Sequence, residues 1–211
     1  MRLLLQFILL FIISVNIFGQ NDQQAVRILD KLSAAATSAP SVSMKFTVLT
    51  INQMENSRDS STGSVIISKN QYNLSLPDNI TWFDGTTSWS YLKAEKEVNI
   101  TKPDKKDDSF LGKPSAIFTL YKKGYKTRLI EEKETGAVID LYPTDIKSDL
   151  VRIRLTVSKS GTELIDAEYK RKDGITVFLK VKEFSLKIKP DPDTFTFNPL
   201  KYKGVEIIDM R

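Results

Sequence analysis

From Val42 onward the sequence is a train of short segments in which apolar and polar residues alternate, broken by turn dipeptides. That rhythm commits most of the chain to one large antiparallel sheet. Val42, Met44, Phe46 and Val48 alternate with Ser41, Ser43, Lys45 and Thr47, a long strand with one buried face. Val65 to Ile67, Tyr72 to Leu76, Ile80 to Phe83, Thr87 to Leu92 and Glu97 to Thr101 read as short strands, with Asp84-Gly85 a tight turn between two of them. Strands resume at Tyr125 to Glu131, Ala137 to Tyr142, Leu150 to Ser158, Glu163 to Lys170 and Ile175 to Lys189, with hairpin turns at Ser160-Gly161 and Asp173-Gly174. Asn52 to Thr62 is polar, a loop or the far end of a hairpin before Gly63.

Two details of register stand out. Val177, Leu179 and Val181 share one parity while Phe184, Leu186 and Ile188 share the other, so the strand slips near Lys182-Glu183, through a bulge or a sharp bend. Near the end, Phe195 and Phe197 alternate with Thr194 and Thr196 between prolines, which predicts a further strand, and Val205, Ile207 and Asp209 repeat the period.

The helical content is small. Asn21-Asp22 can cap a helix to about Thr37, with Ala25, Ile28, Leu29, Leu32, Ala35 and Ala36 on one stripe and Pro40 beyond its end. Pro114 opens a short helix from Ser115 to Lys123, ended by Gly124, with Ile117, Phe118, Leu120 and Tyr121 as its apolar residues. A flat open sheet of about ten strands would curl. The expected fold is therefore mainly β with α (α+β): a strongly curved antiparallel sheet, an unclosed half-barrel, its concave face covered by the N-terminal and internal helices. No internal repeat appears, so residues 20–211 are expected to form one domain. A concave apolar sheet is also a natural pocket for an elongated apolar ligand.

Residues 1–19 read as a cleaved signal peptide: Arg2, a nearly continuous apolar run from Leu3 to Phe18, then Gly19-Gln20. The alternative is a retained anchor, for which the run is short and interrupted. No Cys stands near the cleavage point, so a lipid-modified mature N-terminus is excluded, and an exported protein working in the periplasm is expected. The chain has no Cys and no His. Thiol nucleophiles, His-based triads and the commonest transition-metal ligand are thereby removed. Net charge is +5, or +4 once Arg2 leaves with residues 1–19. It is spread among interleaved acids, and no nucleic-acid partner is expected.

Several stretches resemble, in order, the periplasmic outer-membrane lipoprotein carriers, the LolA family. Ser41 to Phe46 resembles the family's first strand and Gly63 to Lys69 its second. Asp84-Gly85 with Trp89-Ser90-Tyr91 resembles the next hairpin, Pro114 with its helix the lid, Leu141-Tyr142-Pro143 a strand end, and Phe195-Thr196-Phe197 the closing signature. The resemblance implies a monomeric, noncatalytic shuttle that holds the acyl chains of lipoproteins in its cavity. The partners it implies are acylated lipoproteins, an inner-membrane lipoprotein-releasing complex and a transient outer-membrane acceptor, with no cofactor. A lipid- or amphiphile-binding module, or an envelope sensor on the same scaffold, is the alternative.

The expected acyl-chain cavity residues are Val42, Met44, Phe46, Val48, Tyr72, Trp82, Trp89, Tyr91 and Phe118. Where family members carry an Arg-Pro pair leaving the second strand, this chain has Lys69 followed by Asn70-Gln71-Tyr72. Lys69 is the candidate lid latch, without the planar fork of arginine. No catalytic or metal-binding residues are expected. Ser90 and Lys93 have the spacing of some serine acyl-enzymes but lie in a strand and its turn, where that spacing does not bring them onto one helical face. Asp191 and Asp193 are too few for calcium, and the sequons at Asn73, Asn79 and Asn99 fall on strands.

Overall fold

The computed structural model describes residues 22–102 and 109–211. The expected signal peptide and residues 103–108 of the charged loop lie outside them. Helix α1 spans Gln23–Ser38. Asp22 caps it, its carboxylate accepting from the amides of Gln24 (2.9 Å) and Ala25 (3.2 Å). The helix ends because Ala39 precedes Pro40 and is held extended, at ψ 151. Ala25, Leu29 and Leu32 form its buried stripe.

The strands are β1 (Val42–Asn52), β2 (Ser57–Ser68), β3 (Gln71–Ser75), β4 (Asn79–Phe83), β5 (Ser88–Leu92), β6 (Glu97–Thr101), β7 (Tyr125–Glu132), β8 (Gly136–Pro143), β9 (Leu150–Ser158), β10 (Leu164–Arg171), β11 (Ile175–Ser185) and β12 (Glu206–Asp209). They form one unclosed sheet in the order β12-β6-β5-β4-β3-β2-β1-β11-β10-β9-β8-β7. The polar stretch after Asn52 is the far end of the β1–β2 hairpin, in register from Val42 with Ile67 to Asn52 with Ser57.

A bulge between β1 and β11 matters most for the interior. Lys45 pairs with Glu183 but Phe46 pairs with Val181, leaving Lys182 as the extra residue. The parity change turns Val177, Leu179 and Val181 to the concave face and, past the bulge, Phe184 as well. On that face they join Val42, Met44, Phe46 and Val48 of β1 and the fully buried Ile139, Leu141, Ile153 and Leu155 of β8 and β9.

Three sequence expectations are corrected. The segment after Pro114 is two short 3-10 helices, Pro114–Phe118 and Leu120–Lys122, not one α-helix. Thr119 between them, at φ -134 and ψ -14, breaks the run. Thr194 to Phe197 is not a strand: the amides of Thr194 and Thr196 bond back to the carbonyls of Asp191 and Asp193, closing turns. The sheet is also not wholly antiparallel, because β12 adds to β6 in parallel.

The other edge, β7, is guarded by the helix cap. Asp22 donates its amide to the Thr127 carbonyl (3.2 Å), and its carboxylate accepts from the Leu129 amide (3.1 Å). One residue thus caps α1 and blocks an open strand edge. Burial acts to raise the Asp22 carboxyl, but the Leu129, Ala25 and Gln24 amides and nearby Arg27 hold it below its ordinary value.

Candidate functional site

Because successive side chains alternate across a strand, register sorts the expected cavity residues onto two faces. Val42, Met44, Phe46 and Val48 of β1 lie on the concave face, and Met44 pairs with Val65 and Val42 with Ile67 of β2. Ile67 pairs with Tyr72 of β3, and Tyr72 with Phe83 of β4, which keeps the same face. Trp82 therefore points the other way, as does Trp89, which pairs with it, and Tyr91 shares Trp89's parity.

On that outer face Trp82 and Tyr91 pack against the C-terminal segment, with Trp89 opposite Trp82 on the neighbouring strand. Trp82 meets Phe197 and Tyr202 at centroid distances of 5.5 and 5.4 Å, and Tyr91 meets Tyr202 at 5.0 Å. The expectation that Trp82, Trp89 and Tyr91 line the concave cavity is thus corrected: register turns all three to the other face, where Phe197 and Tyr202 cover Trp82 and Tyr91.

Over the concave face sits a lid made of Phe110 and the two 3-10 helices. Phe110 meets Phe46 edge-on at 5.2 Å, and Phe118 meets Phe184 at 6.4 Å. Ile117 and Phe118, on the first of these helices, are buried. The Phe46 ring occupies the space that a side chain at Gly63 would need: a Cβ there would lie 2.8 Å from Phe46 Cζ and 2.7 Å from Leu76 Cδ2.

Two phenols fasten the lid. Tyr72 Oη donates to the Gly112 carbonyl at 3.0 Å, and Tyr121 Oη donates to Asp30 Oδ1 of α1 at 2.5 Å. Burial, and then the Asp30 hydrogen bond, push the Tyr121 phenol well above its usual range, so it stays a donor. Lys69, the expected latch, sits exposed in the β2–β3 turn at φ 55 and makes no hydrogen bond or ion pair among the described residues. The Tyr121–Asp30 contact had only a faint sequence signal, an acid beside the Leu29 and Leu32 stripe. Phe110 had a clearer one, as a single aromatic ending a run of Lys and Asp.

Under the lid the interior is filled by side chains. At one end of the strands, however, the concave face opens into a groove of about 310 Å³ lined by Val48, Thr50, Asp59, Ser61, Leu76, Asp78, Asn79, Leu92 and Leu111. Leu111, in the lid, remains 37% exposed there. Its lining is mixed, with Val48, Leu76, Leu92 and Leu111 as the apolar part and Thr50, Asp59, Ser61, Asp78 and Asn79 as the polar part. Among the described residues no group of His, Cys, Asp or Glu is placed to hold a metal ion. No helix among them is long and apolar enough to cross a membrane.

A family model described as outer membrane lipoprotein carrier protein LolA matches residues 15–162. The chain belongs to the LolA family. The match covers α1, the lid and β1 to β9, and stops short of the C-terminal cluster around Phe197 and Tyr202. No curated protein matches the sequence. An uncharacterized conserved protein from Thermus thermophilus has a similar fold, with TM-score 0.55 and 13% identity over 88% of this chain and 99% of that one. Two further structures align at lower TM-scores. One, at 0.49 and 11% identity, is a putative outer membrane lipoprotein-sorting protein domain from Vibrio parahaemolyticus, matched over 85% of this chain and 99% of its own. The other, at 0.44 and 13% identity, is a LolA superfamily protein from Nitrosomonas europaea, matched over 82% and 97%. As a LolA-family fold, this chain has a carrier-type binding architecture, with its groove and lid on the concave face.

Proposed function

We propose that this protein is a noncatalytic envelope carrier that shields the acyl chains of lipoproteins on its concave face. In this reading it is exported as one domain of residues 20–211 and moves its cargo from the inner to the outer membrane. The observation that carries the reading is the apolar concave face under a lid fastened by the Tyr72 and Tyr121 phenols, with a groove of mixed lining opening at one end. Each methylene withdrawn from water contributes about 0.8 kcal/mol, so an acyl chain crossing an aqueous compartment needs such cover. A groove of about 310 Å³ is at the small end for ligand sites, so seating whole chains requires Phe110, Ile117 and Phe118 to swing away. Val42, Met44, Phe46, Val48 and Tyr72 would then become the chain-contacting wall. A lid fastened by two phenols is strong enough to close and weak enough to release cargo.

The test is binding of fluorescent fatty-acyl probes, with mass spectrometry of what co-purifies from the native envelope. Because both tryptophans lie on the outer face, the readout is the fluorescence of the probe itself. Saturable binding with acylated proteins among the co-purified species is the expected result. Free lipids alone would favour the amphiphile-binding alternative, and a folded protein that binds no acyl probe would remove the basis for either.

A further inference from the structure

A second cleft lies at the other ends of the strands from the groove. The β1–β11–β10–β9 register places Ser158 at the end of the sheet where Val42 and Ser185 lie, whereas the groove is at the Thr50 and Asp59 end. The cleft, of about 420 Å³, is bounded by α1 and by the β7–β8 and β9–β10 turns. Its volume suits a small molecule or a headgroup.

Four cations, Arg27, Lys31, Lys133 and Lys159, line it against Glu132 alone. Lys133 is occupied by Glu131 at 2.7 Å. Arg27, Lys31 and Lys159 make no ion pair among the described residues. Arg27 and Lys31 are four residues apart on α1 and so share one helix face, a like-charged arrangement that a bound anion would relieve. The stem of Lys31 lies over Gly161, where a Cβ would come within 2.8 Å of Lys31 Cδ, so the glycine makes room for the lysine to reach across to the turn. In its lining, the Ser158 and Ser160 hydroxyls are 2.9 Å apart, and Ser160 continues to Thr162 in the β9–β10 turn at 2.8 Å.

We propose that this cleft binds a phosphate-bearing anion. Lys31 and Lys159, with Arg27 whose charge also acts on Asp22, and adjacent hydroxyls match a group with three or more acceptor oxygens and up to about two negative charges better than a two-oxygen carboxylate. Ile28 and Ala137 add an apolar wall suited to the organic part of a phosphate ester. The source of the phosphate is either a soluble phosphorylated molecule or a lipid headgroup, and the site does not depend on the acyl-chain reading.

The experiment follows backbone amide NMR shifts of Ser158 to Gly161 at low ionic strength. The probes are inorganic phosphate, and vesicles of phosphatidylcholine with and without phosphatidylglycerol. Saturable shifts are expected. Lys31→Ala and Lys159→Ala should each weaken binding about tenfold, the effect of losing one charge-assisted contact. Lys31→Arg should restore it, and Lys45→Ala, which removes an exposed lysine on β1 paired with Glu183, should change nothing. Circular dichroism verifies that each variant is folded. Response to phosphate alone assigns a soluble ligand, and response only to phosphatidylglycerol vesicles assigns a headgroup; either supports the site. No saturable response to any probe, or equal weakening by Lys45→Ala, overturns it.

Discussion

The Tyr121–Asp30 contact makes the lid's closed state a measurable quantity. Tyr121→Phe keeps the ring and its packing and removes only the hydroxyl that donates to Asp30 at 2.5 Å. A hydrogen bond to a charged acceptor contributes about 1.5–3 kcal/mol. Asp30 is exposed, so water satisfies the freed oxygen and the loss belongs at the bottom of that range, about 1.5 kcal/mol. That corresponds to about a tenfold rise in the open population. The amides of Ala116, Thr119, Lys122 and Lys123, all bonded within the lid, report the opening. Their hydrogen exchange should speed up about tenfold, with amides of β8 and β9 unchanged, and acyl-probe association should rise in parallel. Lys69→Leu serves as the control and should leave lid exchange as it is. Lid exchange in Tyr121→Phe equal to wild type, or acceleration spread evenly through β8 and β9, would refute the idea that this contact is the latch.

Further outcomes follow from the same geometry. Trp82→Ala should cost about 3 kcal/mol in denaturant unfolding by opening the outer aromatic cluster, yet leave acyl-probe affinity unchanged; a matching loss of affinity would put Trp82 back in the cargo site. Gly63→Ala should cost about 1–3 kcal/mol, since its Cβ would overlap the Phe46 ring, and an unshifted midpoint would contradict that packing. Asp22→Ala should cost about 1 kcal/mol through the lost cap. The folded-state pKa of Asp22 is depressed, so its contribution is present above the ordinary aspartate value of about 3.9 and lost as pH falls through the folded value. Acid unfolding of Asp22→Ala should accordingly converge with wild type at low pH. Asp140, 1% exposed, titrates with the same sign: burial acts to raise it, but the hydrogen bonds of Arg154 and Tyr142 and the charges of Arg154 and Arg152 hold it low.

The strands and the β11 slip were legible because they depend on local alternation: Val177 and Phe184 have different parity whatever they pack against. Side assignment was not legible for Trp82, Trp89 and Tyr91. Each strand has two faces, and only the return of Phe197 and Tyr202 across the outer one decides which face is apolar there. The Thr194–Phe197 alternation misled for a related reason. Its backbone bonds close local turns, and the side chain of Asn73 donates to the Thr194 carbonyl at 2.9 Å, so no strand partner is needed. The latch escaped because Asp30 and Tyr121 are 91 residues apart and each alone looks ordinary.

The parallel pairing of β12 on β6 has a consequence for how the molecule is made. Ile207 pairs with Val98, 207 − 98 = 109 residues earlier. A contact of such long loop closure forms late. During vectorial synthesis, Trp82, Trp89 and Tyr91 emerge long before Phe197 and Tyr202. Until those arrive, the β4–β6 sheet presents an uncovered aromatic surface and an open edge at β6, the combination that promotes aggregation. Shortening the chain ahead of Phe197 would make that passing exposure permanent, so this half of the sheet depends for its solubility on residues that contribute nothing to the groove.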